Sequence, residues 1–135
     1  TDGTPEVRTV HVRFVKSWDA LAFVSHRSSP KWAQLSREPR LALCGYLPKL
    51  GLQLRLKARA SLLVPGEPGA DELWAGTVDW LKAEFKSRDN FGAVRLEALA
   101  WDAYRADPAH PERNERTVWV REGGAWKAET RAALL

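Results

Sequence analysis

Val7 to Lys31 reads VRTVHVRFVKSWDALAFVSHRSSPK. Its first part alternates. Val10, Val12 and Phe14 interleave with Thr9, His11 and Arg13, the period of two that marks a strand with one buried face. Ser17-Trp18-Asp19 predicts a turn, and the short apolar run Ala20 to Val24 predicts the returning strand. The polar segment Ser25 to Lys31 then opens a helix. Ser28 or Ser29 serves as N-cap and Pro30 takes the first helical position, where no intrahelical N–H bond is lost. A helix start with hydroxyls, a lysine and free N–H groups suits two roles, simple capping or the binding of an anion such as phosphate. Arg8, one strand back, is a second cation for the latter.

Outward from this stretch, the chain continues in short elements. The helix runs from Lys31 to near Pro39. Arg40 to Leu47 is a continuous apolar run, expected as a central strand, and Pro48 to Gly51 turns the chain. Leu52, Leu54, Leu56, Ala58, Ala60 and Leu62 then alternate with Gln53, Arg55, Lys57, Arg59 and Ser61, giving one core face and one basic, solvated face. After the Pro65 to Gly69 loop, Asp71 caps a helix to about Lys86, with Trp74, Val78, Leu81 and Phe85 on its packing stripe. Ser87 to Gly92 breaks it. Val94 to Ala106 reads as a further strand, Asp107 to Asn114 as a polar loop, and Thr117 to Thr130 as a hairpin turning at Gly123-Gly124. The sum is a mainly β (α+β) chain, an antiparallel barrel with two or more covering helices. Near the start, Asp2-Gly3 signals a hairpin with no strand before it. The expectation is a missing N-terminal strand or helix, or an open edge covered by a partner.

Composition narrows the function. At 135 residues the chain predicts a single domain, long enough to bury roughly two thirds of its unfolded surface. The one cysteine, Cys44 in the run Leu41 to Leu47, excludes an internal disulfide and is expected as a buried thiol. No apolar stretch reaches the roughly 20 residues of a membrane-spanning helix, and no signal peptide is visible, so the expected compartment is the cytoplasm. With 21 Lys+Arg against 17 Asp+Glu the formal charge is +4, which fits an anionic ligand and leaves nucleic acid open. The seven tryptophans are expected in core, lid or interface. His11, His26 and His110 have no metal-ligand spacing, and there is no phosphate-binding Gly-rich loop, CxxC pair or Ser-His-Asp set.

Arg8-Thr9-Val10-His11-Val12-Arg13, then Phe23-Val24-Ser25, then Ser29-Pro30-Lys31, then Gln53 within Leu50 to Arg55 resemble the flavin-binding signature of the pyridoxamine 5'-phosphate oxidase-like family. The segments match in order and without gaps from Arg8 to Gln53, and more weakly beyond. The resemblance is to the small branch of that family rather than to the oxidase itself. It implies a single FMN-binding split barrel over residues 1–135, and a homodimer with FMN at the interface. By residue, it implies Arg8, Lys31, Ser25 and Ser29 at the phosphate. The backbone of Thr9, Val10, His11 and Val12 would lie along the ring, and Arg13 would stand in place of a family lysine near the flavin. Gln53 would meet the pyrimidine edge, since its amide both donates and accepts.

Two departures qualify what the resemblance implies. Pro30 stands where the oxidases carry an arginine, so one phosphate ligand is lost, with Arg27 or the helix N-terminus to compensate. The oxidase's substrate-binding Arg-Leu-His-type ending has no match in Glu122 to Leu135, and a charged helix end explains Glu84 to Arg88 as well as a substrate segment does. The leading reading is therefore an FMN flavoprotein, an oxidoreductase acting on a substrate other than a B6 vitamer, with no acid or base assignable. A second is a split barrel that has lost FMN or holds another ligand such as haem. A third is a basic β-barrel binding single-stranded nucleic acid through Arg55, Lys57 and Arg59. It ranks last, because that strand supplies no aromatic beside its cations.

Overall fold

A computed structural model describes residues 3–133. Asp2 of the expected Asp2-Gly3 turn lies outside them. The strands are β1 (Arg13–Val15), β2 (Ala20–His26), β3 (Arg40–Leu47), β4 (Leu52–Leu63), β5 (Phe91–Arg105), β6 (Glu115–Glu122) and β7 (Ala125–Arg131). The helices are α1 (Pro30–Arg37), α2 (Pro68–Ala75) and α3 (Asp79–Glu84). The hydrogen-bonded order is β1-β2-β5-β4-β3, with β6 paired to β5 and β7 to β6. Among these, β1–β2, β2–β5, β3–β4, β5–β6 and β6–β7 are antiparallel. The chain forms two compact units, one of Thr1–Pro39 with Ala60–Glu97, the other of Arg40–Arg59 with Ala98–Leu135.

The first unit holds an aromatic core. Ala22, Ala70, Leu73, Phe85, Phe91 and Ala93 are buried together, ringed by Val15, Trp18, Val24, Leu63, Trp74 and Leu81. Phe91 meets Trp74 and Phe85 edge-on, with ring centroids 5.0 and 5.1 Å apart, the geometry that adds about 0.5–1.5 kcal/mol per pair beyond area burial.

Two expectations fail here for one reason. The long first strand is short: regular pairing begins only at Arg13, against Ala22. Its phase is also reversed, since Phe14 is 59% and Val12 38% exposed while Arg13 is half-buried. The expected helix from Asp71 to Lys86 is instead two, broken between Gly76 and Val78. Arg13 links the two outcomes. Its guanidinium donates to Leu73 O (2.8 Å), Gly76 O (3.0 Å) and Thr77 Oγ1 (3.3 Å). The first two are carbonyls a continuing helix would use, and a cation at a helix C-terminus satisfies them. Thr77 Oγ1 also donates to Leu73 O at 2.7 Å. With Arg13 turned inward, strand alternation sends Phe14 outward. Val78 becomes the N-cap of α3 and is 53% exposed, so it leaves the packing stripe. Asp71 lies inside α2 rather than capping it, and accepts from Gly66 N at 3.1 Å and from Arg88. Its carboxyl is held below the usual range, first by the Gly66 N–H and then by Arg88.

In the second unit the β3–β4 hairpin follows the expected register of alternation. Leu56 and Ala58 are buried and Arg55, Lys57 and Arg59 are exposed. Gly51 adopts φ 58° at the turn, and its carbonyl accepts from Ala106 N at 2.9 Å. A Cβ at Gly51 would lie 2.5 Å from Ala106 O, so no other residue fits this approach. β3 is not central. It ends the strand order, pairing with β4, and Cys44 on it is exposed rather than buried. An apolar run can mark an edge strand as well as a buried one, because periodicity alone does not set a strand's place in a sheet. β4, β5 and β6 are cross-braced at Asp102. Its carboxylate accepts from Arg116 Nε (3.1 Å) and Nη2 (2.7 Å), and from Arg55 Nη2 (2.7 Å). The Arg116 hydrogen bonds, with Arg55 behind them, hold the Asp102 carboxyl below the ordinary range against the opposing effect of burial.

Candidate functional site

The site begins where β2 ends. Ser25 is 2% exposed and pairs with Gly92 of β5. Its hydroxyl lies 2.9 Å from Ser29 Oγ. Ser29 caps α1: it has extended backbone, and its Oγ accepts from Trp32 N at 3.4 Å. Pro30 fills the first helical position, so of the two expected caps the structure uses Ser29. Ser28 is exposed, with its N–H donating to His26 Nδ1 at 3.2 Å, which fixes the turn into the helix. α1 sits close to the sheet because Gly92 lacks a side chain. A Cβ there would lie 2.3 Å from the Trp32 ring.

The two expected phosphate cations come together on α1. Arg8 Nη2 donates to Gln34 Oε1 at 2.9 Å and also pairs with Glu6. Lys31 precedes Gln34 by three positions, which places both on one helix face. Lys31 is half-buried, and its pKa is lowered, first by burial and then by the Arg8 charge. Among the described residues, Lys31 makes no ion pair. Lys31 in the first turn of α1 and Arg8, bound one turn on at Gln34, are thus held within each other's field, and Ser25 and Ser29 carry hydroxyls at the start of the same helix. Such an arrangement can neutralise and hydrogen-bond a dianion.

Other expected residues lie elsewhere. The Arg13 guanidinium is occupied by the end of α2, and burial lowers its pKa. Arg8 and Arg13 therefore serve different helices, Arg8 reaching α1 and Arg13 the end of α2. Arg27 donates to Asp89 O at 3.0 Å, and its N–H to Asn90 O at 2.8 Å; both tie it to the turn before β5. Thr9, His11 and Val12 are exposed and Val10 is half-buried, all ahead of β1. Gln53 belongs to the second unit, on β4 opposite Tyr46 of β3. In the first unit a groove of 760 Å³ runs past Arg13, Phe14 and Glu72; Arg8, Ser25, Ser29 and Lys31 are not among its walls. Gln34, which anchors Arg8, escaped the reading of the sequence. Its only signal was the three-residue spacing from Lys31.

No family model matches the sequence, and no curated protein matches it. Solved structures do match. One is a pyridoxamine 5'-phosphate oxidase-related, FMN binding protein from Nostoc punctiforme PCC 73102. Its TM-score is 0.87 at 20% identity, over 96% of this chain and 81% of that one. The chain has the split-barrel fold of the pyridoxamine 5'-phosphate oxidase-like proteins. PhzG from Burkholderia lata 383, solved in complex with tetrahydrophenazine-1-carboxylic acid, is similar too. Its TM-score is 0.76 at 19% identity, over 97% of this chain and 77% of that one. Among the described residues, no helix of this split barrel is long and apolar enough to cross a membrane.

Proposed function

We propose that this split barrel is a flavoprotein that binds FMN by its phosphate at the β2–α1 junction. The observation that carries the reading is that Arg8 is bound, through Gln34, to the helix face that carries Lys31. Two cations on one helix face leave positive charge that the single carboxylate of Glu6 offsets only in part, and a phosphate dianion matches it with the right donors. Arg8 offers a planar fork, Lys31 a mobile point charge, and Ser25 and Ser29 their hydroxyls. Glu6, which shares Arg8, is the group that phosphate would displace. The helix N-terminus stands in for the arginine that the oxidases have at the Pro30 position. The reading draws support from the FMN binding protein of the same fold. On the same resemblance, Gln53 meets the pyrimidine edge and the backbone of residues 9–12 follows the ring. Arg13 acts indirectly, by fixing α2. When bound, FMN supplies hydride or electron transfer at its N5. The protein would then be an oxidoreductase, in a cytoplasmic homodimer with FMN at the interface.

A thermal-shift titration tests this. FMN at about 100 times its Kd adds about 2.7 kcal/mol to the parent protein, a rise of several degrees. Arg8→Ala with Lys31→Ala removes the rise while leaving the ligand-free melting temperature within a few degrees. A parent protein that neither shifts with FMN nor carries a yellow chromophore when purified overturns the proposal.

A further inference from the structure

The turn between β2 and α1 contains a histidine to which the flavin reading gives no task. His26-Arg27-Ser28-Ser29 is a β-turn, closed by the Ser29 N–H donating to the His26 carbonyl at 3.0 Å. Ser25 Oγ donates to the same carbonyl at 3.2 Å. The ring of His26 joins in from the other side. Its Nδ1 accepts from the Ser28 N–H at 3.2 Å and lies 2.7 Å from Ser28 Oγ. A ring nitrogen that accepts from an N–H offers a lone pair, so this network assigns the ring proton to Nε2. Asp, Asn and Ser are favoured at the first position of a β-turn because their side chains accept from the N–H two residues on. His26 performs that role with a ring nitrogen.

The ring is itself held. It stacks on Phe85 with centroids 6.0 Å apart and planes at 14°, and Phe85 is a core residue. On the backbone, His26 pairs with Phe91 in the β2–β5 ladder. A rigid part of the first unit therefore fixes the position of Nδ1, and Nδ1 fixes the turn.

Neither the turn nor the helix needs this bond in order to form. The turn has its own closing bond, and Ser29 Oγ already caps α1. Ser28 is exposed, so water could satisfy its N–H in place of the ring. What the ring adds is a single shape for the segment. Ser25 Oγ and Ser29 Oγ, 2.9 Å apart, bracket the turn, and Lys31 follows in the first turn of α1. These are the groups offered to phosphate. A segment ordered in advance loses less conformational freedom when its ligand arrives.

We propose, resting on the flavin reading of this junction, that His26 is a positioning residue for the phosphate. Through Nδ1 it holds the Ser25–Ser29 turn in its binding shape, and so sets the preference for a phosphorylated flavin over an unphosphorylated one. It acts through Ser28 and the turn, at the phosphate end alone.

Three substitutions separate the acceptor from the ring. His26→Phe keeps the stack on Phe85 and loses the acceptor. His26→Asn loses the ring and keeps an acceptor for the N–H two residues on. His26→Ala loses both. Dissociation constants for FMN and for riboflavin are read on the intact chain by quenching of flavin fluorescence, with melting curves to establish that each variant folds. His26→Phe and His26→Ala are expected to weaken FMN about 5- to 10-fold, the loss of about one hydrogen bond, and to leave riboflavin unchanged. His26→Asn is expected to bind FMN as the parent does. A His26→Phe variant that binds FMN as tightly as the parent overturns the proposal. So does a His26→Asn variant as weak as His26→Ala, which keeps the test decisive if the Phe variant does not fold. Equal weakening of FMN and riboflavin overturns it too, since that marks a general structural role. A parent that binds no FMN ends the flavin reading and this proposal together, whereas each of the other failures leaves the flavin reading standing.

Discussion

The two units are built differently. Among the described residues, the first contains ten of the twelve buried core residues, including Phe23, Phe85, Phe91, Val94 and Leu96, whereas the second contributes Leu56 and Ala58. In the second, ladder hydrogen bonds and the Asp102 cross-brace take the place of a large apolar cluster. The candidate sites follow this division. The β2–α1 junction is anchored on a packed core: Trp32 lies against Gly92, and Ser25 is buried in β2. The β3–β4 face that carries Gln53 is a charged surface of a hairpin, placed by register rather than by packing. Lys31, half-buried on α1, and Arg8, held to the same helix by Gln34, suit one small ligand held in one pose.

Truncation experiments can break this contrast, and Phe91→Ala has the largest expected effect. It removes the ring that meets both Trp74 and Phe85, and should cost about 3–5 kcal/mol in denaturant unfolding. Val118→Ala on half-buried β6 should cost about 1 kcal/mol. Equal costs would mean that the second unit has a core as demanding as the first.

Asp102→Asn sharpens the contrast electrostatically. It should destabilise by about 1–2 kcal/mol at neutral pH, leaving two arginines on half an acceptor. Asp102 has its folded pKa depressed, so its contribution is present above the unfolded value of about 3.9. It is lost as pH falls through the folded pKa. The stability gap between parent and variant, measured by melting at stepped pH, should therefore close below about pH 4. A constant gap would show that the carboxylate's charge is not what braces the strands. Asp71, depressed in the first unit, is common to both proteins and cancels in the difference.

The smallest effect tests the junction itself. Ser29→Ala should cost about 1 kcal/mol by loss of the N-cap. It should weaken FMN binding if Ser29 also touches phosphate, and leave it unchanged if the hydroxyl only caps. Thermal shifts with and without FMN separate the two.

Much was legible from residues alone. The alternation of Leu52 to Leu62, the Ser29-Pro30 helix start and the Gly123-Gly124 hairpin depend on local rules of period, cap and turn, and each is found where those rules put it. The failures share a cause. Arg13, Val78, Cys44 and the continuous helix were read from local pattern, yet each was decided by a contact far along the chain. A guanidinium 60 or more residues away ends α2. Strand order, not apolarity, leaves β3 at an edge. Lys31 and Arg8 could be named from the sequence as two cations. That they share one helix face, through Gln34, required the fold.

Sequence by itself therefore determined the elements and the chemistry available to them: which strands alternate, where α1 starts, and that one face of β4 is basic. Tertiary structure decided which groups meet. Hydrogen bonding and charge act over a few ångströms in space. The chain brings positions such as 13 and 76, or 46 and 53, within that range only by folding, and no local pattern records the distance between them.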